Sequence, residues 1–168
     1  MDGAGTREIC QSAQMLILGA GGLLIMAACT PSEPGTIPLD EARASYQEVV
    51  EPLQTAMHPE GGAEWNSDGG ETLWDDGGTC RWAPADSVSD VGIPEDDAQW
   101  EMRESTVDEI LGAHGFDPVG AAGRRAGAPA YGFDTSREDG ARVQLYSVPG
   151  TTVIRVSGIP VDPGACNA

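Results

Sequence analysis

Fourteen uncharged residues, MLILGAGGLLIMAA at positions 15–28, end directly in Cys29. As a helix this run is about 21 Å long at roughly 1.5 Å per residue, well short of the roughly 30 Å hydrocarbon core of a bilayer. It is the length of the apolar region of an export signal, which is followed by small residues at the cleavage point. The remainder of the chain must therefore fold outside the cytoplasm, from what lies after position 28.

Met26-Ala27-Ala28-Cys29 resembles the lipobox of bacterial lipoproteins, with Met where Leu is commonest. In such proteins the thiol takes a diacylglyceryl group and a peptidase cuts before the cysteine, which needs small neighbours. Two acyl chains anchor stably, because each buried CH₂ contributes about 0.8 kcal/mol and one chain binds only marginally. Residues 1–28 are read as a removed signal, 29–38 as lipidated Cys29 and a tether with three Pro, and 39–168 as a single domain. The segment before the apolar run departs from the usual positive charge, since Arg7 stands against Asp2 and Glu8.

The 168 residues carry 27 Asp and Glu against nine basic residues, all Arg, for a net charge of −18. Removing residues 1–28 takes Asp2, Glu8 and Arg7, so 25 acidic and 8 basic residues remain. Nucleic acid is excluded as a partner, because affinity there comes from cations that neutralise phosphate. Anionic headgroups are poor docking sites for the same reason, and repulsion should hold the domain away from them, most strongly at low salt.

Four cysteines reduce quickly. Cys10 leaves with the signal and Cys29 is lipidated, so Cys80 and Cys166 remain. In an exported chain such a pair is a disulfide candidate. A metal site is the rival, without a CxxC or a nearby His to favour it.

Downstream of Pro38, the residues Leu39, Ala42, Tyr46, Val49, Val50, Leu53 and Met57 fall at helical spacing, with a kink or break expected at Pro52. Residues 58–70 read as loop, 71–75 and 79–83 as short strands around a Gly-Gly turn, and 84–95 as loop again. A second helix starts near Asp96 or Asp97, carries Trp100, Val107, Ile110, Leu111 and His114, and is capped by Gly115 with Phe116 folding back. Residues 117–129 read as a Gly/Ala segment with Arg124-Arg125, and 130–135, 141–148 and 152–157 as a meander with a type II turn at Pro149-Gly150. The expected fold class is α+β: two helices packed on an antiparallel sheet of about five strands.

Ala27-Ala28-Cys29, Cys80-Arg81-Trp82, Trp100 with His114-Gly115-Phe116, the run from Gly140 to Val143, and Cys166 together resemble the small LppA-like lipoproteins of actinobacteria. The Arg-only, Gly-rich composition suits a GC-rich genome. The resemblance covers about residues 15–166. It implies a lipid-anchored envelope protein without established catalysis, lipidation at Cys29, and a Cys80–Cys166 pair. One departure stands out: relatives place the last Cys directly after the final strand, whereas residues 159–165 intervene here.

Chemistry-bearing motifs are sparse. No G-x-S-x-G or H-E-x-x-H occurs, and His58 and His114 read as structural. The weak candidate surface site is Glu64, Trp65, Asp68, Glu71, Trp74, Asp75 and Asp76, where carboxylates lie among sugar-stacking aromatics. Residues 66–71 lack the ligand order of a calcium loop, so weak surface Ca²⁺ binding is the most they suggest, and no cofactor is expected beyond the lipid on Cys29. The functional expectation is a non-catalytic binding or interaction module on the outer face of the cytoplasmic membrane. Its partners would be that membrane, through the anchor, and an envelope component or protein. The alternatives are a carboxylate hydrolase of cell-wall glycan or peptide, and a structural surface module.

Overall fold

The helical spacing after Pro38 becomes α1, Leu39–Met57, with Asp40 and Glu41 in the first turn, where the helix dipole favours anions. This structure, a computed structural model, describes residues 35–124 and 130–167. The signal segment, Cys29, the tether up to residue 34 and Arg125 lie outside the described residues. Of the kink or break expected at Pro52, the break does not occur, and α1 continues through it. Proline removes one i→i−4 bond, but the carbonyl it deprives belongs to Glu48, which is exposed. Val49, Val50, Leu53, Ala56 and Met57 are buried on both sides of it, so packing holds the helix where local propensity would break it.

The second helix, α2, runs Asp97–Ala113, and the Asp96 side chain caps it by accepting from the Ala98 N–H at 3.1 Å. Its far end closes as expected. Gly115 takes φ +78°, its N–H donates to the Gly112 carbonyl, and the Phe116 N–H donates to that of Leu111. Trp100, Val107 and Leu111 are buried, while Ile110 is only partly so. The two helices pack on each other, and α1 also reaches the sheets.

Among the described residues nine strands form two antiparallel sheets, so the α+β class holds with more strands than sequence pattern reveals. In chain order they are β1 Trp65–Asp68, β2 Thr72–Asp76, β3 Thr79–Ala83, β4 Asp86–Ser89, β5 Gly123–Arg124, β6 Tyr131–Ser136, β7 Arg142–Val148, β8 Thr151–Ser157 and β9 Ile159–Val161. The larger sheet is ordered β1-β4-β8-β7-β6-β5 and the smaller β2-β3-β9. The β2–β3 hairpin turns through Gly77 and Gly78, both at positive φ, as a tight two-residue loop demands. Its alternation matches expectation, with Cys80 and Trp82 buried and Arg81 on the other face.

Three stretches read as loop are corrected. Residues 65–68 form β1, 86–89 form β4, and 123–124 form β5. Neither Trp-Asn-Ser-Asp nor Asp-Ser-Val-Ser alternates apolar with polar residues. β4 instead buries Ser87 and Ser89, whose hydroxyls are satisfied by Gln54 Nε2 at 2.9 Å and by the Val91 backbone. Arg124 pairs with Glu95 at 2.6 Å, so it is not a free basic loop residue. The tether also ends inside the fold, because Ile37 makes a parallel bridge to Val161.

Residues 159–165, which directly precede Cys166, supply β9 and most of a 3₁₀ helix, Pro163–Asn167, that carries it. β9 pairs with β3, matching Cys80 to Val161 and Trp82 to Ile159. This brings Cys166 to Cys80, and the two are joined, with their Cα atoms 5.8 Å apart. Arg81 fastens the same region by donating to the carbonyls of Asp139 and Gly158.

Candidate functional site

The seven residues singled out from sequence do not form one site. Glu64 precedes β1, where its N–H donates to Asp90 at 3.2 Å. Trp65 packs its ring at 5.6 Å from that of His58, and Asp68 ends the strand in the larger sheet. Trp74, Asp75 and Asp76 lie on β2 of the smaller sheet. Asp75 accepts from the Gly78 N–H within its own turn, and Asp76 lies 3.5 Å from Arg81. Glu71, between the sheets, is paired with Arg43 and accepts from Trp82 Nε1 at 3.2 Å. The Arg43 hydrogen bond holds its carboxyl below the usual carboxylate range.

All five of these acids are exposed, and Asp68, Glu71 and Asp75 border three different clefts. Hydrolysis by a carboxylate pair needs both groups flanking one bond, and this placement does not supply that. Among the described residues no three His, Cys, Asp or Glu side chains form a metal-holding group.

The structure assembles a different site, which sequence reading missed. Ala42, Ser45, Tyr46 and Val49 form one face of α1, at helical spacing. They roof a cavity of about 140 Å³ whose floor is Val143, Val156 and Ile159, from three strands. The α2 cap places His114 and Phe116 in its wall, and Ile37 closes the end nearest the tether. An apolar cavity of about 150 Å³ stays dry and accepts benzene or xenon, so this one is the size of a single ring or a branched alkyl group.

Its polar lining residues are Ser45, Tyr46, His114 and Arg137. The Tyr46 hydroxyl donates to the Ala85 carbonyl at 3.4 Å, and burial, with a smaller effect of Asp86, pushes the phenol up, so it remains a neutral donor. Arg137 is wall rather than ligand. It donates to Asp139 at 2.7 and 3.0 Å and to the His114 carbonyl at 3.2 Å, and lies 5.1 Å over the Phe116 ring. Burial pushes Asp139 up, but hydrogen bonds from Arg137 and the Ala141 N–H, with the charges of Arg137 and Arg81, outweigh it and leave the carboxyl low. The α1 stripe was the one sequence signal for this cavity. Its floor comes from β7, β8 and β9, whose convergence is a property of topology.

His58 has a separate electrostatic role. Burial and then the Arg103 charge lower its pKa from 6.5, against smaller opposing effects of Asp90 and the Val91 backbone. A base depressed in the fold stabilises it above the unfolded value, and that stability is lost as pH falls from 6.5 toward the folded pKa. Urea denaturation on either side of pH 6.5 should therefore show lower stability on the acid side, and His58→Gln should flatten that limb. An unchanged limb in the variant would assign it to carboxylates.

No family model matches the chain, and no curated protein matches it. The crystal structure of a DUF4853 family protein from Actinomyces odontolyticus is similar at 11% identity and a TM-score of 0.44, covering 76% of this chain and 71% of that one. A likeness of that degree carries no argument about family or activity.

Proposed function

We propose that this chain is an exported, lipid-anchored envelope protein of the LppA-like kind, tethered at Cys29 to the outer face of the cytoplasmic membrane. Its α+β domain acts by binding. Export is supported by the 15–28 apolar run ending in Cys29 and by a Cys80–Cys166 disulfide, a bond that persists in oxidising compartments. The observation that carries the binding reading is the cavity beneath α1, lined mainly by apolar side chains together with Ser45, Tyr46, His114 and Arg137, a mostly apolar pocket with a few polar groups being the usual make-up of a small-molecule site. At about 140 Å³ it takes a ring-sized or branched apolar group.

Benzene is the first probe. A ligand that binds only the folded state raises stability by RT ln(1 + [L]/Kd), so saturating benzene should raise the melting temperature of the full chain in detergent. Val49→Phe, which fills the cavity, should abolish the rise while remaining folded. If wild type and Val49→Phe respond alike, the cavity is not the binding site. For the anchor, Cys29→Ala should release the protein into the medium, and a variant that stays in the membrane fraction refutes lipid attachment.

A further inference from the structure

The smaller sheet ends differently on its two sides. Beyond β9, Ile37 bridges to Val161 and its carbonyl accepts from the Asp162 N–H at 3.0 Å. Beyond β2 no described strand pairs, so alternate N–H and C=O groups of β2 face outward. Edge strands are commonly blunted by Pro, Lys or a bulge. β2 has none of these, carries charge only at its Asp75-Asp76 end, and keeps register with β3 from Thr72 to Asp76. All five of its residues are exposed, and Leu73 and Trp74 leave 36% and 39% of their surface open. Leu73 shares a face with Trp82, and Trp74 shares the opposite face with Arg81, so apolar surface flanks the edge on both sides. Beside Leu73 and Asp75 a recess of about 370 Å³ runs to the Cys80–Cys166 bridge and Asn167.

Charge selects the occupant. Glu71 precedes the strand, Asp75 and Asp76 end it, and β2 carries no basic residue. Arg43 pairs with Glu71, and the Arg81 guanidinium, 3.5 Å from Asp76, is also held by the Asp139 and Gly158 carbonyls, so the attraction rests on Asp75 and on the net charge of the chain. A strand edge pairs only with another polypeptide backbone. At a net charge of −18 a second copy is repelled, whereas a basic segment is drawn in. We propose that β2 is a docking edge for an extended, Lys- or Arg-bearing segment of a partner protein. The segment adds a fourth strand to the β2-β3-β9 sheet and places an apolar side chain in the recess beside the disulfide. This stands independently of the cavity beneath α1.

The test uses the full chain in zwitterionic detergent and an acetylated, amidated peptide alternating Lys with Val and Thr. The expected result is saturable binding that slows amide hydrogen exchange at alternate residues of β2 and weakens roughly tenfold from low to high salt. The same peptide N-methylated at every residue, so that neither of its edges can donate, should not bind. The double variant Asp75→Asn, Asp76→Asn keeps the turn acceptor and should bind several-fold more weakly. Four outcomes would overturn the proposal: no binding, equal binding of the N-methylated peptide, protection at β1 instead of β2, or protection of β2 that grows with protein concentration alone. The last would make a second copy the occupant.

Discussion

Replacing Trp100 by alanine is expected to lower unfolding free energy by about 3–5 kcal/mol, the usual range for removing a fully buried Trp. The side chain is 0% exposed in the first turns of α2. Its ring meets Phe133 at 5.3 Å and Tyr131 at 5.6 Å, both edge-on, and its Nε1 donates to the Pro94 carbonyl at 3.0 Å. The variant therefore loses apolar burial, two aromatic contacts and a hydrogen bond at once, and leaves a void between α2 and β6. Total stabilities of domains are about 5–15 kcal/mol, so much of the fold's margin is at stake. Trp100→Phe keeps the ring contacts and should lose roughly 1–2 kcal/mol. Urea titration reads both; a loss below about 1 kcal/mol for the alanine variant would mean that α2 can collapse onto the sheet without the ring.

The second large effect is expected at the disulfide. Removing both cysteines as alanine should cost about 2–5 kcal/mol, since the bond joins residues 86 apart in sequence and restricts the unfolded chain. The single substitutions should differ. Cys80 is 1% exposed within the core, whereas Cys166 is partly exposed on the 3₁₀ helix. Cys80→Ser buries a hydroxyl among apolar groups and Cys166→Ser does not, so the first should be worse by about 1 kcal/mol or more. Titration of the processed, lipidated protein, unfolded but unreduced, should find neither thiol free. Two free thiols, or equal effects of the two serine variants, would contradict the linkage or the asymmetry.

Each described Arg is held within the fold: Arg43 by Glu71, Arg81 by two carbonyls, Arg103 by the Met57 carbonyl, Arg124 by Glu95, Arg137 by Asp139, Arg142 by Asp134 and Arg155 by Asp86. Most of these pairs are solvent-exposed and contribute little individually. Their collective effect is that each described Arg already has an acceptor within the fold.

Sequence alone determined the elements whose causes are local. Apolar spacing set α1, Asp96 and the His114-Gly115-Phe116 cap bounded α2, and Gly77-Gly78 and Pro149-Gly150 placed two hairpins. Counting cysteines also singled out the pair that the structure joins. Tertiary structure alone decided the rest. β1 and β4 lack apolar alternation and exist because neighbouring strands offer ladder bonds and because Gln54 and the Val91 backbone satisfy two buried serines. α1 crosses Pro52 because buried residues on either side outweigh one lost hydrogen bond. Both proposed binding features belong to this second class. The cavity under α1 and the open edge of β2 arise where segments distant in sequence meet, or fail to meet, and contacts of that kind leave no periodic mark on the chain.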